Sequence, residues 1–257
     1  MPGLPVGWSL AMPMTPVWNE GFAGLEAAAL LRSEVWRDPG LDGGGRGVLL
    51  VPGFIAGDQT LGLMTRWLRR AGYHTRSAGL RMNVDCAGEI LRGLEARLDG
   101  LVQRRGPAVV LGQSRGGSLA RALAARRPDQ VAGLITLGSP TLDPLAVGPL
   151  TLLSVRAVSA LGALGIPGFL SRRCLDGACC AAFREGLEAE WPVDIPYVSI
   201  YSRRDGIVDW RACLEPAAKT VEVHASHCGM AAHAGTYGAI AQALRAVGPA
   251  DGLARAA

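Results

Sequence analysis

The chain has 257 residues, a formal net charge of +4, and an apolar share of 49%. That length suits one sizeable α/β domain with room for an insertion, and that composition lets it bury a substantial core. The positive balance is mild, with a pI of about 8.9, and its arginines are scattered, Lys219 being the only lysine, which argues against a nucleic-acid binder.

Residues 1–18 are proline-rich, carry Trp8 and Trp18, and read as an irregular arm lying on the domain. Glu20 to Trp36 has apolar residues at helical spacing and predicts one helix, ended by Asp38-Pro39-Gly40. Gly47-Val48-Leu49-Leu50-Val51 is a continuous apolar run, the pattern of a central strand buried on both faces. Gln59 to Ala71 is amphipathic, Tyr73 to Ser77 predicts the next strand, and Ile90 to Arg104 a second amphipathic helix. Ala108 to Leu111 then reads as a strand, Ser118 to Arg126 as a helix stopped by Pro128, and Val131 to Leu137 as another strand. Strand and helix alternate throughout this half, which predicts a mostly parallel sheet with helices on both faces.

The alternation fails between Thr141 and Trp191, a stretch rich in Leu, Ala, Gly and Pro. It reads as an inserted apolar cap of one or two short helices with a cysteine-bearing loop. Sheet character returns at Ile195 to Tyr201 and again at Lys219 to Val223, and a final helix is predicted from Ser226 to Val247. The expected organisation is an N-terminal arm and helix over residues 1–45, a core over 46–140 and 192–247, a cap over 141–191 and a tail over 248–257.

The six cysteines are Cys86, Cys174, Cys179, Cys180, Cys213 and Cys228, and none stands in a paired C-x-x-C arrangement that would suggest zinc. Cys174, Cys179 and Cys180 are close enough in sequence for a local disulfide. Prolines break up the N-terminal stretch, with no positive region leading into an apolar run and no span of about 20 apolar residues. The expectation is a soluble cytoplasmic protein without stable membrane insertion, with a processed secreted form as the alternative.

The chemistry centres on Val109-Val110-Leu111-Gly112-Gln113-Ser114-Arg115-Gly116-Gly117. An apolar strand runs into Gly-x-Ser-x-Gly and a helix follows, which places Ser114 on a sharp turn with its hydroxyl held out above the sheet edge. The Arg115 amide then sits at a helix N-terminus, aimed at an oxyanion forming on Ser114. A serine needs a base, usually a histidine steadied by a carboxylate. His227 follows the last strand and is the first choice, with His224 and His233 as fallbacks; Asp205, just past the Ile195 to Tyr201 strand, is preferred to Asp209. The order Ser114, Asp205, His227 is that of an α/β-hydrolase. A second oxyanion donor is expected from Pro52-Gly53-Phe54, with the Phe54 amide chosen.

Leu50-Val51-Pro52-Gly53-Phe54, Gly112 to Gly117, Leu137-Gly138-Ser139-Pro140, Asp205-Gly206-Ile207-Val208 and Ser226-His227-Cys228-Gly229-Met230 together resemble the lipase and esterase branch of the α/β-hydrolase superfamily, and are similar to actinobacterial hydrolases. The resemblance covers roughly residues 46–246. It implies an α/β-hydrolase fold, a Ser114–His227–Asp205 triad and an oxyanion hole from the Phe54 and Arg115 amides. Pro52-Gly53 departs from the His-Gly of many lipases, so the support that histidine gives the loop is lost. Gln113 stands where many carry histidine, a change expected to touch packing more than chemistry.

Phe54, Ile55 and Leu142, with the cap, are expected to contact substrate. An apolar cap beside an acyl-transfer serine favours a small lipophilic carboxylic ester or lipid, cleaved without metal or cofactor. The competing readings are an acyltransferase or thioesterase using the same residues, and a non-catalytic binding protein on the same fold.

Overall fold

The structure, a computed structural model, describes residues 17–171, 174 and 177–248. The expected arm before residue 17, with Trp8, and the tail beyond residue 248 lie outside the described residues, as do four positions of the cysteine-bearing loop.

Six strands form one sheet: β1 (Gly47–Val51), β2 (His74–Ser77), β3 (Ala108–Gln113), β4 (Val131–Leu137), β5 (Tyr197–Tyr201) and β6 (Lys219–Glu222). Their order is β2-β1-β3-β4-β5-β6 and every pairing is parallel. β1 and β3 are buried along their whole length, as continuous apolar runs covered on both faces require. The edges are polar: β2 reads His-Thr-Arg-Ser and β6 Lys-Thr-Val-Glu, which discourages pairing with another chain.

Eight helices accompany the sheet among the described residues: α1 (Ala23–Arg32), α2 (Glu34–Arg37), α3 (Gly62–Arg70), α4 (Ala87–Arg105), α5 (Arg115–Arg126), α6 (Pro149–Ala163), α7 (Ala181–Glu188) and α8 (Ala234–Val247). The pleat sends alternate residues to opposite faces and so divides the core. Val48 and Leu50 join Val109 and Leu111 under α1, α2, α3 and α8, where Trp67 meets Tyr237 edge-on at 4.9 Å. Leu49, Val51 and Val110 face the other way and pack beneath α4 and α5.

The structure departs from the expected elements chiefly at three helices. The helix expected over Glu20 to Trp36 is broken: a 3-10 turn (Val17–Phe22) leads into α1, and α2 starts afresh after Ser33. Ser33 is extended and its side chain accepts from the Trp36 amide, so a good N-cap residue starts a second helix rather than continuing the first. The final helix starts later than expected, because Cys228–Ala232 is a 3-10 turn and His233 caps α8 rather than lying inside it. α4, conversely, starts earlier than expected, at Ala87.

The segment between β4 and β5 divides in two. α6 begins with proline at its first position and stays partly exposed, with Leu150 and Leu153 each 60% accessible. α7 packs on α5: an added Cβ on Gly186 would lie 2.9 Å from Ala122, and the buried Arg121 donates from Nη1 to the Gly186 carbonyl and from Nη2 to that of Ala189 at 2.8 Å. No helix among the described residues is long and apolar enough to cross a membrane.

Candidate active site

Because all strands run the same way, the connections leaving β1, β3, β5 and β6 collect at one edge of the sheet. There Ser114 has φ 54° and ψ −130°, a conformation that a side-chain-bearing residue adopts only under constraint. The constraint comes from both sides. The Ser114 amide donates to the Leu137 carbonyl at 2.8 Å, and α5 begins at the next residue. A Cβ on Gly112 would stand 2.4 Å from the Gly116 carbonyl oxygen, and one on Gly116 would stand 2.3 Å from that of Val51. Those neighbours are backbone and cannot yield, so the bend is open only to glycine at both positions.

His227 Nδ1 and Asp205 Oδ2 lie 2.6 Å apart, with Asp205 3% and His227 5% exposed. The other Asp205 oxygen accepts from the amides of Ile207 at 2.8 Å and Val208 at 2.7 Å, so the carboxylate is fixed in orientation. Burial pushes the His227 pKa down, but the charge and hydrogen bond of Asp205, helped by the charge of Glu20, outweigh it and hold the imidazole above its ordinary value. Ser114 and His227 line one cavity, and among the described residues no hydrogen bond joins them.

Two acidic residues near the start of the described chain hold this arrangement. Glu20 accepts through Oε1 from the amides of His227 at 3.0 Å and Gly206 at 3.1 Å, and through Oε2 from that of Cys228 at 2.7 Å. One carboxylate thus bridges the acid loop and the histidine loop. Glu26 accepts from the amide and the hydroxyl of Ser226 at 2.8 and 2.6 Å. Gln113 Nε2 donates to the His227 carbonyl at 3.0 Å, tying the serine turn to the same loop, a structural role beyond the packing expected for it. Neither glutamate was singled out from sequence, because each is 186 or more residues from its partners and sits on what reads as an ordinary amphipathic helix.

The loop after β1 lies against the serine: a Cβ on Gly53 would be 3.2 Å from that of Ser114. Its support comes from Asn83, which is fully buried. Asn83 Nδ2 donates to the Pro52 carbonyl at 2.8 Å, while its carbonyl accepts from the Ile55 amide at 3.3 Å. Arg115 completes the tie, donating from Nη1 to Asn83 Oδ1 at 2.6 Å and from Nη2 to the Asp85 carbonyl at 2.7 Å. Burial draws the Arg115 pKa down to about 10, opposed by nearby Cys180, Cys86, Asp85 and Cys174. Asn83 and Arg115 therefore brace the loop at a place where a histidine was expected to be missed.

The cavity at this edge holds about 440 Å³. Ser114, His227, Phe54 and Ile55 lie on its wall, and Leu150 and Val155 of α6 face it from the far side. Leu142 is not on this wall; it lines a neighbouring cavity of about 750 Å³ beside Trp191 and Glu215. Its 51% exposure follows from its position after the Ser139-Pro140 turn, where its amide is drawn to the Ala212 carbonyl at 3.1 Å. The fallback residues lie elsewhere. Asp209 caps a 3-10 turn and pairs with Arg211 at 3.2 Å, His224 is exposed, and His233 caps α8.

Four cysteines meet beside the cavity. The sulfurs of Cys86, Cys174, Cys179 and Cys180 all lie within 4.8 Å of one another, and Cys174 and Cys180 also face the cavity. Sequence spacing did not reveal this cluster because Cys86 comes from the start of α4, 94 positions before Cys180.

No protein-family model and no curated protein matches the sequence. Solved structures do match. A Bacillus licheniformis lipase in its mature form is 15% identical with a TM-score of 0.58, over 79% of this chain and 94% of that one. A Paleococcus ferrophilus monoacylglycerol lipase is 12% identical with a TM-score of 0.56, over 80% of this chain and 96% of that one. A soluble variant of a Saccharomyces cerevisiae monoglyceride lipase, solved with a substrate analog, is 14% identical with a TM-score of 0.56, over 80% and 88%. At such identities the likeness establishes the fold: this chain is similar in architecture to these enzymes.

Proposed function

We propose, starting from an α/β-hydrolase fold, that the chain is a serine hydrolase of lipophilic carboxylic esters with Ser114, His227 and Asp205 as its triad. The observation that carries this reading is the 2.6 Å contact of His227 Nδ1 with a buried Asp205, beside a strained serine in the same largely apolar cavity. A carboxylate on Nδ1 leaves Nε2 as the basic nitrogen. In the proposed reaction His227 Nε2 takes the Ser114 proton as Oγ bonds to the ester carbonyl carbon. The tetrahedral oxyanion is met by the amides of Phe54 and Arg115, neither of which has a hydrogen-bond acceptor among the described residues. Collapse breaks the bond to the alcohol, which leaves with the proton from His227. Water, deprotonated by the same nitrogen, then releases the acid and restores Ser114.

Substrate choice falls to Phe54, Ile55 and the wall contributed by α6, which acts as the cap in this reading. A cavity of about 440 Å³ lies within the usual range for a small-molecule site and suits a lipophilic ester of modest size.

Labelling with a fluorophosphonate probe tests the assignment. Wild type should be modified at Ser114, and Ser114→Ala should lose labelling together with about a millionfold of turnover on a p-nitrophenyl ester. Unchanged turnover in Ser114→Ala would sink the triad, and an unreactive wild type would indicate a binding module. Product analysis with added alcohol or thiol separates hydrolysis from acyl transfer.

A further inference from the structure

We propose that Cys86, Cys174, Cys179 and Cys180 form a structural zinc site that fastens the cysteine loop to the start of α4 and fixes one wall of the cavity. Four sulfurs around one zinc at about 2.3 Å stand roughly 3.8 Å from each other in a tetrahedron. Here Cys86 and Cys180 are 3.4 Å apart, Cys179 and Cys180 are 3.9 Å apart, and no sulfur is more than 4.8 Å from another. Closing the widest separation by up to about 1 Å would seat the set on a single ion. A polynuclear iron–sulfur cluster would need its thiolates spread around several metals, so the spacing favours a mononuclear, thiophilic cation. None of these cysteines is in a disulfide.

Two local features favour ligation by Cys86 and Cys174. Cys86 is the N-cap of α4, whose 19 residues direct the positive end of the helix dipole at the cluster. The Ser171 amide donates to Cys174 Sγ at 3.3 Å, the kind of bond that orients a ligating sulfur. A zinc with four thiolates carries a net charge of −2, and the half-buried Arg115 guanidinium feels the charges of Cys180, Cys86 and Cys174. The loop is already pressed on the helix, since a Cβ on Gly88 would lie 1.8 Å from the Cys179 carbonyl oxygen. Binding replaces the four thiol protons with one zinc ion and releases them to solvent, with no change of oxidation state.

The site is independent of the ester-hydrolase reading, and its test does not use activity. The full chain, expressed with zinc and purified under reducing conditions, should contain one zinc per chain by elemental analysis. Cys86→Ser and Cys180→Ser should lose the metal, while Cys213→Ser and Cys228→Ser should keep it. Since the first two variants could fail to fold, wild type is also stripped and reloaded with cobalt(II). Intense sulfur-to-cobalt charge-transfer bands with tetrahedral ligand-field bands are expected. Substoichiometric zinc after reconstitution, a cobalt spectrum without sulfur bands, iron in place of zinc, or the mass deficit of a disulfide among these four residues would each overturn the proposal.

Discussion

The Glu20 carboxylate accepts the main-chain amide of His227 at 3.0 Å across 207 residues of sequence, and its oxygens also bind the amides of Gly206 and Cys228. The two loops that carry the proposed acid and base are thereby held by a third, charged group. In Glu20→Gln the charge goes while much of the shape stays. The acid limb of the pH–rate profile should move to lower pH, because one of the charges raising the His227 pKa is removed. Glu20→Ala also forfeits hydrogen bonds to a charged acceptor, worth about 1.5–3 kcal/mol each before solvent exposure discounts them, and should unfold at lower temperature. Identical pH profiles for wild type and Glu20→Gln would reduce Glu20 to a purely structural clamp.

The pH dependence itself follows from the imidazole. His227 accepts a proton only when neutral, and its pKa is held above the ordinary 6.5, so kcat/KM should fall as pH drops through a value above 6.5. Asp205→Asn removes the larger stabilising charge. Its acid limb should move down and kcat should fall by about ten-thousandfold, as expected when the tautomer is no longer fixed. A pH–rate series on both proteins checks the direction.

Asn83 is the brace of the loop that carries the Phe54 amide. Asn83→Ala leaves the Pro52 carbonyl without its donor and removes one of the three hydrogen bonds of the Arg115 guanidinium, those to the main-chain carbonyls of Asn83 and Asp85 remaining. An unpaired buried carbonyl costs about 1–3 kcal/mol, so the melting temperature should drop. Turnover should fall with little change in KM, because the oxyanion forms only along the reaction path. Unaltered kcat in a folded variant would separate this loop from catalysis.

Gly116→Ala is expected to be more severe than its size suggests. The added methyl would meet the Val51 and Pro52 carbonyl oxygens at 2.3 and 2.4 Å, so β1 and the turn must separate. Thermal unfolding should show a loss of several kcal/mol, at the upper end for single substitutions. Gly93→Ala, where nothing lies within 4 Å, is the control and should be neutral or slightly stabilising as a helix substitution.

Much of the fold was legible because parallel sheets announce themselves locally. Gly47 to Val51 and Ala108 to Leu111 are apolar without alternation, and only a strand covered on both faces has that need. The serine turn was legible in part for a similar reason: Gly112 answers a clash four residues away, while Gly116 answers the distant Val51 and Pro52 carbonyls. What escaped the sequence depends on contacts with no local trace. Glu20 looks like any acidic residue on a helix, Asn83 like any loop asparagine, and Cys86 gives no hint of the three sulfurs far along the chain. Leu142 lines the neighbouring cavity rather than the one that holds Ser114, because position after a strand does not say which way the following turn will face.

The single bridge between Val147 and Val208 has one more consequence. Val208 gives its amide to Asp205, so the chain entering α6 and the acid of the proposed triad are joined through one residue. In the proposed enzyme, a guest too bulky for the chamber that pushed α6 outward would, through Val208, slacken its own catalyst. In such an enzyme oversized esters would be held yet processed slowly, and the gatekeeping would lie in the chemistry rather than at the door.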